Sequence, residues 1–226
     1  MQVLYEDNHI IIVSKTTGEI VQGDKTGDKP LSETVKQYIK EAYAKPGDVF
    51  LGVVHRLDRP VSGLVLFART SKALARLNAM FANGQVHKRY WAIVKDMPPQ
   101  SEGTLTHWLV RNEKQNKSYA YDHEVPRSKK AMLDYKVIGK SDNYYLLVVD
   151  LKTGRHHQIR CQLAKIGCPI KGDLKYGAKR SNPDGSISLL SRSMQFVHPV
   201  SKKEIAVEAP LPDDKLWQSF TLHPSL

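Results

Sequence analysis

The residues best suited to chemistry lie in Val54-His55-Arg56-Leu57-Asp58-Arg59, where one acid stands between two arginines. Pro60-Val61-Ser62-Gly63 and the apolar run Leu64-Val65-Leu66-Phe67-Ala68 follow directly. A carboxylate beside cations is most often a surface ion pair that adds little to stability. Here it stands at a turn marked by Pro and Gly that feeds a core strand, so the scaffold would fix its position. Held ionised in this way, Asp58 has the chemistry of a nucleophile, a base or an electrostatic stabiliser. The residues alone leave those roles, and the plain ion pair, open.

Other side chains carry weaker signals. Tyr90, in Lys88-Arg89-Tyr90-Trp91-Ala92, reads as a strand aromatic in the core or as a ring that stacks on a base. Lys88 and Arg89 supply phosphate-binding charge or a solvated strand end. Arg160, on a predicted helix after Thr153-Gly154, pairs with a carboxylate or a phosphate. His156, His157 and Cys161 are metal-ligating residue types. Neighbouring histidines on one helix diverge, however, and Cys161 with Cys168 does not complete a tetrahedral set. No metal and no cofactor are expected. His107 and His198 are expected to be structural or solvent-exposed.

These residues need a scaffold, and the hydrophobic patterning supplies one. Val3 to Tyr5 and His9 to Val13 predict two short strands around a turn, and 18–30 predicts a loop rich in Gly, Pro and charge. Leu31, Val35, Ile39 and Ala42 recur at helical spacing over 31–44. A strand through Ala68 precedes a helix capped by Ser71, with Leu74, Leu77, Met80 and Phe81 as its apolar stripe and an end near Asn83-Gly84. Strands are predicted over 90–94, 103–109, 131–138 and 144–151, with a turn at 139–143 between the last two. The segment 156–166 predicts a helix closed by Gly167. Late strands at 195–197 and 205–207 flank Pro199, and a short helix spans 215–220. Strands and helices in this irregular order imply an α+β fold and not repeated βαβ units.

The chain has 226 residues, 34 of them Lys or Arg against 23 Asp or Glu, for a net charge of +11. That excess favours a polyanionic partner without choosing among RNA, DNA and acidic protein. From Asp150 to Lys203 there are 11 Lys or Arg and three Asp or Glu, so phosphate contacts are expected from part of this basic stretch. Its charge is heaviest near Lys171, Lys175, Lys179 and Arg180. Two cysteines make no disulfide framework, and no apolar run reaches the ~18 residues of a membrane span. With a start unlike a signal peptide, the chain reads as cytoplasmic, with no membrane association and no obligate protein partner evident. A deaminase lacks its metal-ligand pattern here, and a dehydrogenase lacks its glycine fingerprint.

Three segments carry a family resemblance. His55-Arg56-Leu57-Asp58 resembles the catalytic signature of the RluA-type RNA pseudouridine synthases, and Lys88-Arg89-Tyr90-Trp91-Ala92 resembles the motif bearing their active-site tyrosine. Thr153-Gly154-Arg155-His156-His157-Gln158-Ile159-Arg160 is similar to the most extended block of the family. That similarity continues through Ile166-Gly167-Cys168-Pro169-Ile170-Lys171-Gly172-Asp173 and Tyr176-Gly177. The motifs stand in family order, and the resemblance runs from about Leu4 to about Pro210.

The resemblance implies the pseudouridine synthase catalytic fold, an extended mixed, mainly antiparallel sheet with peripheral helices. It implies isomerisation of a specific uridine to pseudouridine in structured ribosomal or transfer RNA. Asp58 then initiates the reaction, Tyr90 meets the target base, and Arg160 makes a buried ion pair with Asp58. Arg56 becomes a wedge for the space left by a flipped base, and Lys88, Arg89, Arg155, Lys171 and Lys175 become RNA contacts. The family's Lys-Pro-Ala-Gly is Lys15-Thr16-Thr17-Gly18 here, which removes a stiff proline. Val61 replaces a commoner threonine, and Gln162 stands where histidine is frequent. The first strand begins almost at Met1, so one catalytic domain over 1–226 without a separate N-terminal RNA-binding module is expected. A noncatalytic RNA-binding protein of this fold is the competing class; it would be free to lose Asp58, Tyr90 or Arg160, and all three are present.

Overall fold

The computed structural model describes residues 1–222; of the expected domain, 223–226 lie outside the described residues. In chain order its first elements are β1 (Gln2–Glu6), β2 (Ile10–Lys15), α1 (Leu31–Ala42), β3 (Gly52–Val53), β4 (Ser62–Ala68) and α2 (Ser71–Ala82). There follow β5 (His87–Val94), β6 (Glu102–Asn112), β7 (Lys117–Tyr121), β8 (Lys129–Lys140), β9 (Tyr145–Leu151) and α3 (Gln158–Lys165). A single 3-10 turn (Leu174–Tyr176), β10 (Leu189–Val197), β11 (Glu204–Glu208), α4 (Lys215–Gln218) and β12 (Thr221–Leu222) complete it. Helices and antiparallel strands in this order are the α+β fold expected. The chain forms two compact units, Met1–His87 with Ser191–Pro210, and Lys88–Leu190 with Leu211 onward.

In the first unit, β2 pairs antiparallel with β1 and β4, β3 pairs with β4, and β10 lies beside β4 and pairs with β11. Ile10 to Val13 and Leu64 to Ala68 are fully buried, so β2 and β4 are covered on both faces and read as continuous apolar runs. Close packing has one backbone consequence. Gly63 has φ +111°, and a Cβ there would lie 2.3 Å from the Ser191 carbonyl oxygen. Only glycine fits between β4 and β10. The α1 helix follows its predicted spacing and buries Leu31, Val35 and Ile39. The cap of α2 is displaced by one residue: Thr70 Oγ1, not Ser71, accepts from Ala73 N–H at 3.1 Å.

The second unit is built on β5-β9-β8-β6-β7, all antiparallel, with β12 also on β8. The expected strands are present and mostly longer than their apolar cores. In β8, residues 131, 133, 135 and 137 are buried while their neighbours are partly open, the period-two signature of a one-sided strand. Leu109, Ala131, Cys161 and Tyr176 pack together with Ala120 and Ala164, which seats α3 on the β6-β7-β8 region. The start of α3 departs from expectation. His156 and His157 precede the helix, and His157 sits at φ 52°, in the left-handed region. Their rings do not diverge but stack, with centroids 3.8 Å apart. Gly167, at φ +83°, closes the helix as expected.

Candidate active site

Asp58 belongs to the first unit, on the turn entering β4. Leu57 and Val61 bury on either side of it, and Val61 N–H donates to Asp58 O at 3.0 Å. Beneath the turn lies Lys15, only 1% exposed. Its ammonium donates to Val61 O at 2.6 Å, Thr16 O at 3.0 Å and Arg59 O at 3.1 Å. Three donors meet three carbonyls, so the charge serves as a rivet for the turn. Burial pulls the Lys15 pKa down to about 8, while the nearby Glu19 and Asp58 carboxylates act in the opposite sense. Lys15 is the last residue of a strand whose residues 10–13 are apolar and buried, and nothing local in the sequence shows what it holds.

The flanking residues separate by role. Arg59 is tied to the 24–28 loop: its guanidinium meets Asp28 at 2.6 Å and Thr26 Oγ1 at 3.0 Å, with Asp24 at 3.9 Å. Gly18 N–H also donates to Arg59 O at 3.0 Å, so the Lys15-Thr16-Thr17-Gly18 segment holds the turn without the family's proline. His55 orders the approach, since its Nε2 accepts from Leu66 N–H at 3.0 Å and its ring stacks on Phe81. Arg56 is exposed.

Tyr90 lies in the second unit on β5, opposite Val149 of β9, with its side chain buried. Lys88 is two residues away and shares that face of the strand; its pKa is depressed by burial. Its ammonium runs close to the glycine turn, since a Cβ on Gly154 would make an ordinary contact with Lys88 Nζ at 3.8 Å. Arg89 turns to the opposite face and pairs with Asp150 at 3.0 Å, where both are well exposed.

The segment 153–160 is organised by buried Gln158. Its Oε1 accepts from Thr153 Oγ1 at 2.7 Å and from Arg155 N–H at 3.0 Å, and its Nε2 donates to Met132 O at 3.0 Å. This fastens the glycine turn to β8. The exposed Arg155 side chain donates from Nε to Lys130 O at 2.9 Å.

Arg160, 5% exposed, lies at the centre of a buried polar cluster. Asp173 grips one edge of it with both oxygens, Nε to Oδ2 at 2.7 Å and Nη2 to Oδ1 at 2.9 Å. Nη1 lies 3.1 Å from His157 Nε2. His157 Nδ1 is 2.9 Å from the Tyr176 hydroxyl, which accepts from Ser118 N–H at 2.8 Å. Burial, then the adjoining Arg160 charge, pushes the His157 pKa down to about 2, so the imidazole is neutral. Three of the five guanidinium N–H groups are accounted for by these contacts. A guanidinium has five donors in a fixed planar fork, so one arginine can serve several acceptors at once. Asp173 and Tyr176 stood inside a recognised motif, but their roles depend on contacts that sequence spacing does not reveal.

Lys171 and Lys175, which follow α3, are engaged by their own chain. Lys171 Nζ donates to Asn182 Oδ1 at 2.5 Å, and Lys175 Nζ donates to Asn116 O at 3.0 Å and Gln115 O at 3.4 Å. Lys175 thereby clamps the tip of the β6-β7 hairpin, which His156 Nε2 also meets at Asn116 Oδ1, 3.1 Å away. Gln162, fully buried, donates to Leu105 O at 3.2 Å and Ala131 O at 3.3 Å and stands 3.0 Å from His107 Nδ1. The glutamine therefore holds the sheet, a structural part suited to an amide. His107 and His198 are both buried, which settles their expected alternative in favour of structure. Burial raises the Cys161 and Cys168 thiols to about 11, leaving them unreactive at neutral pH. No group of three or more potential metal ligands occurs among the described residues, nor does a helix long and apolar enough to cross a membrane.

Comparisons with known proteins give a consistent result. Residues 9–165 match the family described as RNA pseudouridylate synthase. The chain is 30% identical to ribosomal large subunit pseudouridine synthase D of Zymomonas mobilis, covering 95% of this chain and 70% of that protein. It is likewise 30% identical to tRNA pseudouridine synthase C of Vibrio vulnificus, covering 97% of this chain and 94% of that one. Among solved structures, human RNA pseudouridylate synthase domain containing 4 superposes with a TM-score of 0.79 at 21% identity, over 96% of this chain and 90% of the other.

Proposed function

This chain belongs to the RNA pseudouridylate synthase family, of the RluA type, and is an enzyme of the isomerase class; on that premise we propose that Asp58 converts one uridine of a structured ribosomal or transfer RNA to pseudouridine. The observation that carries the proposal is the Asp58 turn riveted from below by the buried Lys15 ammonium. A carboxylate that must act repeatedly on a held ribose needs a fixed backbone, and three ammonium hydrogen bonds supply it.

The reaction is an internal transfer. The bond from ribose C1′ to N1 of uracil breaks, the detached base turns, C1′ bonds to C5, the C5 proton leaves, and N1 takes up a proton. Asp58 starts it either by attacking C1′ or by removing a ribose proton to give a glycal. Both routes need an ionised carboxylate, and neither adds nor removes an atom from the product. Arg160 is the partner in this reading, its guanidinium orienting the Asp58 carboxylate while Asp173 and His157 hold it. Tyr90 stacks on the uracil, and its hydroxyl serves proton transfer at C5.

The RNA reaches this site with its target base flipped from the stack, and Arg56 fills the vacated space. Lys88, Arg89, Arg155, Lys171 and Lys175 supply phosphate contacts. For Lys171 and Lys175 that duty is shared with their intramolecular acceptors, which fix their ammonium groups in place. The relatives named for ribosomal and for transfer RNA support both classes equally, at 30% identity each. The test is to map pseudouridine across cellular RNA from cells with and without active protein. A site lost with the protein and restored by purified enzyme is expected; identical maps, with no product on either RNA class in vitro, would overturn the proposal.

A further inference from the structure

The buried cluster around Arg160 contains more polar machinery than one ion pair requires. Asp173, 1% exposed, already neutralises the guanidinium and occupies Nε and Nη2. His157 adds a third contact from a left-handed backbone, a conformation uncommon outside glycine. Donor counting fixes its tautomer. Arginine has no acceptor, so His157 Nε2 accepts from Nη1, and the ring proton resides on Nδ1 facing the Tyr176 hydroxyl oxygen. Tyr176 oxygen also accepts from Ser118 N–H, which anchors the ring to β7. The depressed His157 basicity agrees with this, since an imidazolium would have no lone pair to offer Arg160.

We propose that His157 is a positioning residue for the isomerisation: as a neutral Nδ1–H imidazole braced by Tyr176, it sets with Asp173 the rotation of the Arg160 guanidinium. Asp173 alone fixes one edge of the fork, through Nε and Nη2. His157 holds the far nitrogen, Nη1, so that the guanidinium plane keeps one rotation. The inference rests on the proposed role of Arg160 toward Asp58, and it adds a residue whose contribution is geometry and not charge.

The test compares His157→Gln with His157→Leu. Glutamine places a carbonyl oxygen about where Nε2 stands and can accept from Arg160; leucine keeps the bulk and removes the acceptor. Misplacement of a reacting group by about 1 Å costs roughly 10²-fold in rate. Single-turnover pseudouridine formation should therefore fall about 10²-fold in His157→Leu and within about 10-fold of wild type in His157→Gln. RNA affinity should change little in either variant. A second readout does not depend on activity: nitrogen NMR of the folded proteins should show an Nδ1–H His157 in wild type, and slow guanidinium rotation at Arg160 in wild type and His157→Gln but not in His157→Leu. Folded His157→Leu with the wild-type rate and slow rotation would overturn the inference, as would equal losses in both variants. An Nε2–H tautomer would also overturn it. Wild-type protein that makes no pseudouridine would refute the proposed function instead, while the NMR comparison still decides the clamp.

Discussion

Replacing Lys15 by methionine removes the ammonium from beneath the Asp58 turn while nearly preserving side-chain length. Three buried carbonyls, of Thr16, Arg59 and Val61, lose their donor. Hydrogen bonds to a charged group contribute roughly 1.5–3 kcal/mol each. Set against them is the relief of no longer burying a charge. The fall of the Lys15 pKa from 10.5 to about 8 corresponds to about 3 kcal/mol. The net loss expected for Lys15→Met at pH 7 is therefore about 2–6 kcal/mol. The pH dependence gives a sharper result. Below about pH 8 folded and unfolded wild type both hold the proton, and the difference from Lys15→Met is constant. Between about 8 and 10.5 the unfolded chain keeps a proton that the native state has released, so wild-type stability rises with pH relative to the variant. Urea denaturation of both proteins from pH 7 to 10.5 measures this, with other titrating groups cancelling in the difference. A rise of about 3 kcal/mol is expected; a flat or falling difference would refute the desolvated-ammonium account of the turn.

Gly63→Ala must place a Cβ 2.3 Å from the Ser191 carbonyl oxygen at a φ of +111°, so a loss of about 4 kcal/mol or more in chemical denaturation is expected. Tyr90→Phe should keep RNA affinity while Tyr90→Leu loses it, because stacking on a base contributes about 1–3 kcal/mol; equal filter-binding constants for the two would remove the stacking role. Tyr90→Phe should also slow product formation, and a wild-type rate would remove its hydroxyl from proton transfer. Neutralising Lys171 and Lys175 together should flatten the salt dependence of RNA binding by about one to two in the log–log slope, and an unchanged slope would assign both lysines wholly to the intramolecular contacts they make.

Much of this architecture could be read from patterning, and the exceptions share a cause. The α1 and α2 helices and the strands over β2, β4, β8 and β9 follow from local apolar periodicity. The β7 strand, Lys-Ser-Tyr-Ala-Tyr, has little local apolar signal and exists by pairing with β6. The β12 strand likewise depends on β8. The first turn expected for α3 is replaced by the left-handed His157, whose conformation goes with contacts to Tyr176 and Arg160. In the site, the Asp58 turn was legible because Pro60 and Gly63 write turn chemistry into the sequence. Lys15, Asp173 and Tyr176 act through partners distant in the chain, and a charge at the end of an apolar strand does not say which carbonyls it will meet.

The account stands on Asp58 as the group that starts the reaction, and Asp58→Asn tests it with the smallest change of shape. The measurement is single-turnover pseudouridine formation on a mapped target RNA, made beside matched denaturation and RNA-binding curves. Loss of product to background with folding and affinity close to wild type is the predicted result. Near-wild-type product from the purified variant would contradict the central claim.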